Sequence, residues 1–276
     1  MTPAFAARLA AAHDHSDSLL CVGLDPDPKR FPPGFSRDGG GIKAFNRLII
    51  DATAEHVCAF KPQIAYFAAL GAEAALEDCI ATIRDRAPHA LVILDAKRGD
   101  IGDTAALYAR EAFERYDADA VTVNPYLGTD SLEPFLAYED RATIVLCRTS
   151  NAGGGEFQAE PSEAPLYLRV ARCAAEDWSQ RGNVMLVAGA TYPAELAEIR
   201  RAAPTIPLLV PGVGAQGGDP LAVLAAGLDA SGRGVLVNSS RAILYASSGN
   251  DFAEAAGAAA AELAATLRAG AAALQS

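Results

Sequence analysis

Paired cysteines are missing from this 276-residue chain. Its five thiols, Cys21, Cys58, Cys79, Cys147 and Cys173, are odd in number and include no C-x-x-C pair, which points to reduced thiols in a cytosolic protein. Cys21 and Cys147 sit inside the apolar runs SLLCVGL and TIVLCRT, where a thiol behaves as a small hydrophobe. No His/Cys cluster offers a metal site, and the H-x-H of His13 and His15 reads as a solvated start rather than a ligand pair. Basic side chains are in short supply, 23 against 34 acidic, for a net charge of −11. Non-specific nucleic-acid and anionic-membrane binding need a positive field, so neither partner is expected. Long apolar runs are absent too. The opening MTPAFAARLAAAHDHSD has no signal-peptide core, and the Ala-rich stretch 253–267, with Glu254, Gly257 and Glu262, suits a surface helix better than a membrane span. A soluble, cytoplasmic protein is expected.

What is present is a core. Hydrophobic residues make up 51% of the chain and charged residues 21%, too apolar for disorder. Short apolar runs recur at 19–25, 59–63, 91–97, 120–124, 143–149, 184–189, 207–212 and 234–238. Most are continuous in Val, Ile, Leu and Ala rather than alternating, as parallel strands buried on both faces require. Between them lie helical stretches at 42–58, 65–86, 104–115, 131–138, 165–181, 194–202, 220–226 and 252–267. Eight strand–helix units with no composition break predict the α/β class, a single-domain (β/α)8 TIM barrel over 1–276. Segment 1–18 and a C-terminal helix over 252–272 are expected to pack outside it. A doubly wound open sheet fits the same alternation, because periodicity does not report closure.

In a parallel barrel the polar groups at the carboxyl ends of the strands line the active face. Here these are Asp25, Lys61, Asp95, Lys97, Asn124, Ser150, Gly189 and Gly212. Charged groups in that position must be paired, since an unpaired buried charge is costly. The densest segment is LDAKRGDIGDT, 94–104, in which Asp95 and Lys97 lie two apart on one strand and point to the same side. An isolated D-x-K-x-x-D is most often a solvated loop, but this one follows a VIL run beside the strand that ends in Lys61. Near the C-terminus, PGVGAQGGD (211–219) is a Gly-rich turn opening a helix, a place where backbone amides meet an anion. Strand eight then leads into VNSSRAI and Arg241. Loops seven and eight are the usual phosphate site of this fold, so a phosphate monoester is the expected ligand class.

Together VGLDPDP, FKPQIAYF, LDAKRGDIGDTAALYA, VTVNPYLG, CRTSNAGG, VPGVGAQGGD and VNSSRAI, spanning 22–243 in order, resemble the orotidine 5′-phosphate decarboxylase family, in its longer bacterial (type 2) branch. The D-x-K-x-x-D-I-x-x-T pattern is the specific part. The resemblance implies a homodimer that converts orotidine 5′-monophosphate to UMP and CO2 in pyrimidine biosynthesis, with no metal and no organic cofactor. It places Lys61, Asp95 and Lys97 in one subunit's charged array, with Lys97 as proton donor. Asp100 would reach the neighbouring subunit's site, with Ile101 and Thr104 beside it. Asp25 would lie near the ribose and pyrimidine. Ser150 and Gln216 would lie around the pyrimidine and phosphate, Pro211 would join the substrate-binding set, and Arg241 would bind the phosphate. The chain departs from the family's shorter branch at Asn238-Ser239-Ser240-Arg241, where that branch has Gly directly before the Arg, and at SNAGG in the loop after strand five.

The chemistry asks for such residues. Decarboxylation leaves a carbanion at C6 of the pyrimidine with no carbonyl placed to delocalise it. A lysine flanked by Asp95 and Asp100 stays protonated, which suits it to stabilise that anion and then donate a proton. It makes a poor Schiff-base nucleophile, although a sugar-phosphate aldolase or another phosphate-binding barrel lyase, including one with Asp95 on Mg²⁺, is an alternative use of the same scaffold. A barrel that only binds nucleotide would fit a chain lacking Lys97 or Asp95; both are present.

Overall fold

The computed structural model describes residues 4–160, 164–214 and 217–275. Eight parallel strands, β1 (Leu20–Leu24), β2 (Ala59–Pro62), β3 (Leu91–Arg98), β4 (Ala120–Val123), β5 (Ala142–Arg148), β6 (Val184–Ala188), β7 (Leu208–Pro211) and β8 (Val235–Ser239), pair in chain order. β8 closes onto β1 through Leu20–Val237, Cys21–Asn238 and Val22–Ser239, so the barrel replaces the open-sheet alternative. The helices among the described residues are α1 (Phe5–Ser16), α2 (Gly39–Thr53), α3 (Ile64–Ala68), α4 (Glu73–Arg86), α5 (Gly102–Arg110), α6 (Thr129–Leu136), α7 (Gly155–Gln158), α8 (Leu166–Cys173), α9 (Pro193–Ala202), α10 (Pro220–Gly227), α11 (Arg241–Leu244) and α12 (Phe252–Gln275). Among them, no helix is long and apolar enough to cross a membrane.

Outward-facing strand residues such as Leu20, Val22, Leu24, Val92, Leu94, Val121 and Val145 pack under the helical ring in the main core. α12 lies between α2 and α10 and completes that ring, burying Ala256, Ala260, Ala264 and Leu267 along one stripe. α2 starts three residues before its expected position because Asp38 caps the amides of Gly40 and Gly41. The single helix expected over 65–86 is two, α3 and α4, broken at a turn where Gly71 adopts φ +58°. A left-handed residue there costs glycine little and ends the helix, although the apolar pattern continues across it.

Segment 1–18 does more than pack outside the barrel. Phe5, Leu9 and Ala12 of α1 join the inward-facing Cys21, Ala59, Leu91, Ile93, Ala120, Ile144, Met185 and Leu236, so α1 stoppers the lower mouth. Its Arg8, with Arg84 of α4, holds the fully buried Asp119, which also accepts the Val92 amide at 2.7 Å. The solvated reading of the H-x-H pair fails for His13, which is 5% exposed, and holds for His15, which is exposed and stacks on His89.

Burial, helped by the nearby Arg233 charge, pushes the His13 pKa from 6.5 down to about 4. Between those values the unfolded chain binds the proton and the folded chain does not. The neutral imidazole's contribution is therefore complete above about pH 6.5 and lost as the pH falls to about 4, amounting to about 3 kcal/mol. Urea unfolding at pH 7 and 4.5 should show His13→Leu losing less stability over that interval than wild type. Equal losses in the two proteins would contradict this account of His13.

Candidate active site

Because side chains alternate along each strand, the upper inward positions converge on one cavity of about 340 Å³. Asp25, Lys61, Asp95 and Lys97 form its charged wall, and Leu146, Val187, Leu209 and Pro211 its apolar wall. Three larger grooves, of about 520, 580 and 730 Å³, contain none of the four charged groups.

The charged wall is one chain of ion pairs. Lys61 Nζ donates to Asp95 Oδ2 at 2.7 Å and Lys97 Nζ to Asp95 Oδ1 at 2.5 Å. Lys61 and Asp95 are 4% and 6% exposed, so burial works against both charges. For Asp95, burial alone would raise the pKa, but Lys61 and then Lys97 outweigh it and hold the carboxyl well below the usual carboxylate range. For Lys61, burial would lower the pKa, but the charges of Asp95 and Asp25 and the bond to Asp95 hold it above an ordinary lysine's. Lys97 occupies the open side of the array, its side chain 47% exposed. Its backbone is left-handed, φ +48°, at a register shift between Leu94 and Arg98 in the β3–β4 pairing. A non-glycine residue in that region stores conformational strain, which the surrounding structure must impose.

Around this wall, Asp25 Oδ1 is buried without a hydrogen-bond partner among the described residues, an acceptor left for a ligand. Ser150 and Arg241 line the same cavity, Arg241 as the first residue of α11. Gly189 at the end of β6 lets the β5 loop come close: a Cβ there would stand 2.8 Å from the Ser150 Cα. Gln216 lies outside the described residues.

Several sequence expectations need correction. Asn124 turns away from the cavity, accepting the Tyr126 amide with its side chain and lining the neighbouring groove. Asp100 does not flank Lys97 within the chain: among the described residues Asp95 is the carboxylate paired with it. Asp100 is half-buried and accepts the Ile101 amide, while Ile101 is 58% exposed and Thr104 exposed; none of them lines its own chain's cavity, which leaves their expected place at a neighbouring subunit's site as it stands. Within the Gly-rich turn, three of the described amides are already used inside the turn. Those of Gly214, Gly217 and Gly218 bond to Gly218, Gly214 and Gly212 carbonyls, and Asp219 caps α10 through the Leu221 amide. That carboxylate makes the start of α10 unfavourable for an anion.

Among the cavity residues that escaped the sequence reading, two are inward-facing polar groups on strands. Thr122 points inward from β4 and bonds to Asp95. Asn238 of β8 is buried beside Cys21, whose thiol burial pushes up to about 12. The thiol therefore stays protonated and donates to Asn238 Oδ1 at 3.6 Å. Counting every second residue back from the strand ends would have exposed both.

Three kinds of comparison bear on this geometry. The model of the "Orotidine 5'-phosphate decarboxylase / HUMPS family" matches residues 18–256. The chain is 57% identical over 253 residues to the orotidine 5′-phosphate decarboxylase of Ralstonia pickettii, covering 91% of this chain and 93% of that protein. It is 58% identical over 257 residues to that of an Azoarcus species, covering 93% and 95%. Its fold superposes on Leishmania donovani OMP decarboxylase with a TM-score of 0.84 at 40% identity, covering 98% of this chain and 99% of that one.

Proposed function

Since the chain belongs to the orotidine 5′-phosphate decarboxylase family, we propose that its cavity converts orotidine 5′-monophosphate to UMP and CO2 without a cofactor. The observation that carries this reading is the Lys61–Asp95–Lys97 chain of ion pairs at the cavity wall. The bond from C6 to the carboxyl carbon breaks and its electron pair stays on C6 as CO2 departs. The Lys97 ammonium faces that charge and then transfers its proton to C6. Solvent returns a proton to the amine. Asp95 crowds the substrate carboxylate in the ground state, a repulsion that vanishes as CO2 leaves.

One charge pair at about 4 Å supplies roughly 4 kcal/mol at an effective dielectric near 20, against about 20 kcal/mol for the largest enzymatic accelerations. Binding energy from remote groups must therefore serve the reacting centre. Arg241 takes the phosphate, Asp25 Oδ1 accepts from the ribose, and Ser150 and Pro211 contact the pyrimidine. Gln216 joins them by family resemblance alone. The ion pairs of Asp95 favour this use over the alternatives. A Lys97 side chain held by the Asp95 carboxylate is poorly placed to form a Schiff base, and an Asp95 whose two oxygens accept from two lysines is a poor Mg²⁺ ligand.

The array acts in a homodimer of the cytoplasm, in which Asp100 completes the partner's site. Supporting this, Asp100, Ile101 and Thr104 lie outside their own chain's cavity, and the exposed Leu107 of α5 and Tyr126 and Leu127 after β4 add apolar surface for an interface. Co-expressing Lys97→Ala and Asp100→Ala chains tests reaction and sharing together. Each variant alone should be inactive, and random pairing should restore about a quarter of wild-type sites, because half the dimers are hybrids with one complete site. Wild type that forms no UMP defeats the reaction; active wild type with no recovery in hybrids defeats the shared site.

A further inference from the structure

We propose that Thr122 is a positioning residue of this reaction: its hydroxyl stands in for a missing strand partner and fixes both the Asp95 carboxylate and the backbone of Lys97. The inference rests on the function proposed above. The register shift between Leu94 and Arg98 takes the intervening residues of β3 out of the β4 ladder, so their amides lose main-chain acceptors. Thr122 Oγ1 replaces them, accepting the Ala96 amide at 3.0 Å and the Lys97 amide at 2.9 Å. The same oxygen donates to Asp95 Oδ1 at 2.9 Å.

A hydroxyl has one hydrogen and two lone pairs. Here both lone pairs face N–H groups, so the hydrogen must point at Asp95, and Asp95 Oδ1 must act as acceptor. Thr122 is 1% exposed, so its hydroxyl is committed to these three partners rather than to solvent. One buried atom thus ties the left-handed backbone at Lys97 to the carboxylate that holds the Lys97 ammonium. Rotating either out of place moves the ammonium relative to C6, and misplacement by about 1 Å costs on the order of 10²-fold in rate.

Thr122→Val keeps the shape and removes the hydroxyl; Thr122→Ser keeps the hydroxyl. Assayed on orotidine 5′-monophosphate, the Val variant should lose about 10²-fold in kcat with KM within about threefold, and the Ser variant should stay within about threefold in both. The acid limb of the kcat profile should move to higher pH in Thr122→Val alone, because the charged form of Asp95 has lost a donor. Hydrogen exchange should show the Ala96 and Lys97 amides protected in wild type and Thr122→Ser and open in Thr122→Val. If Val does not fold, Thr122→Ala, which only removes atoms, is read the same way. A Val variant with wild-type kcat, an unmoved acid limb and protected amides overturns the proposal. Wild type inert toward the nucleotide overturns the assigned reaction instead, and amide exchange then decides the hydroxyl's role by itself.

Discussion

Lys97→Ala should lower kcat for orotidine 5′-monophosphate by at least about 10⁴-fold and leave a folded protein. Two contributions disappear together: the cation facing the developing C6 anion, on the order of 10²–10³, and the proton donor, on the order of 10²–10⁴. The cost to stability is small because the Lys97 side chain is 47% exposed and Asp95 keeps its buried partner Lys61. Alanine inherits the left-handed backbone, so it relieves no strain there. Thermal unfolding should place the variant within a few degrees of wild type, and UMP formation should be near background. A Lys97→Ala protein with turnover within tenfold of wild type would remove Lys97 from the chemistry.

Asp95→Asn should abolish activity and also destabilise the fold, which separates it from the Lys97 variant. The shape is kept, but Lys61, 4% exposed, loses the anion bonded to it. Breaking a buried pair from one side costs about 3–5 kcal/mol, because the remaining charge is left uncompensated. In wild type the Asp95 pKa is depressed, so its stabilisation is present above the ordinary carboxylate range and lost as the pH falls through it. The Lys61 pKa is raised from 10.5, so its share is present below about pH 10.5 and lost as the pH climbs above it. In the variant, burial without Asp95 drives the Lys61 pKa down instead, and the amine sheds its charge as the pH rises. Guanidinium unfolding should therefore show the deficit at pH 7 narrowing at pH 9.5. An Asp95→Asn protein as stable as wild type at pH 7 would mean that the pair does not hold the cavity wall together.

The fold was largely legible because strands buried on both faces read as unbroken Val/Ile/Leu runs; β1 to β8 begin and end within two residues of the runs that predict them. Closure was not legible, since it depends on β8 meeting β1, a contact between residues more than two hundred positions apart. Lys61, Asp95 and Lys97 stood out as charges ending apolar runs. Thr122 did not: a β-branched residue in VTV is ordinary strand material, and its role arises only when a neighbouring strand slips register. His13 escaped for a similar reason, its burial decided by the packing of α1 on the rest of the chain, with Arg233 and Asp229 nearby, rather than by the Ala-rich helix itself. Asp219 and the internal bonds of the Gly-rich turn show the reverse case, a motif readable by composition in which the local geometry has already used the amides of Gly214, Gly217 and Gly218.

The proposed side-chain array needs no metal or organic group to decarboxylate the nucleotide. Purified protein dialysed against EDTA and mixed with orotidine 5′-monophosphate tests it through loss of the orotate absorbance. Complete conversion to UMP at the rate of undialysed protein is the expected result. An unchanged spectrum, or activity that returns only when Mg²⁺ is added back, would contradict it.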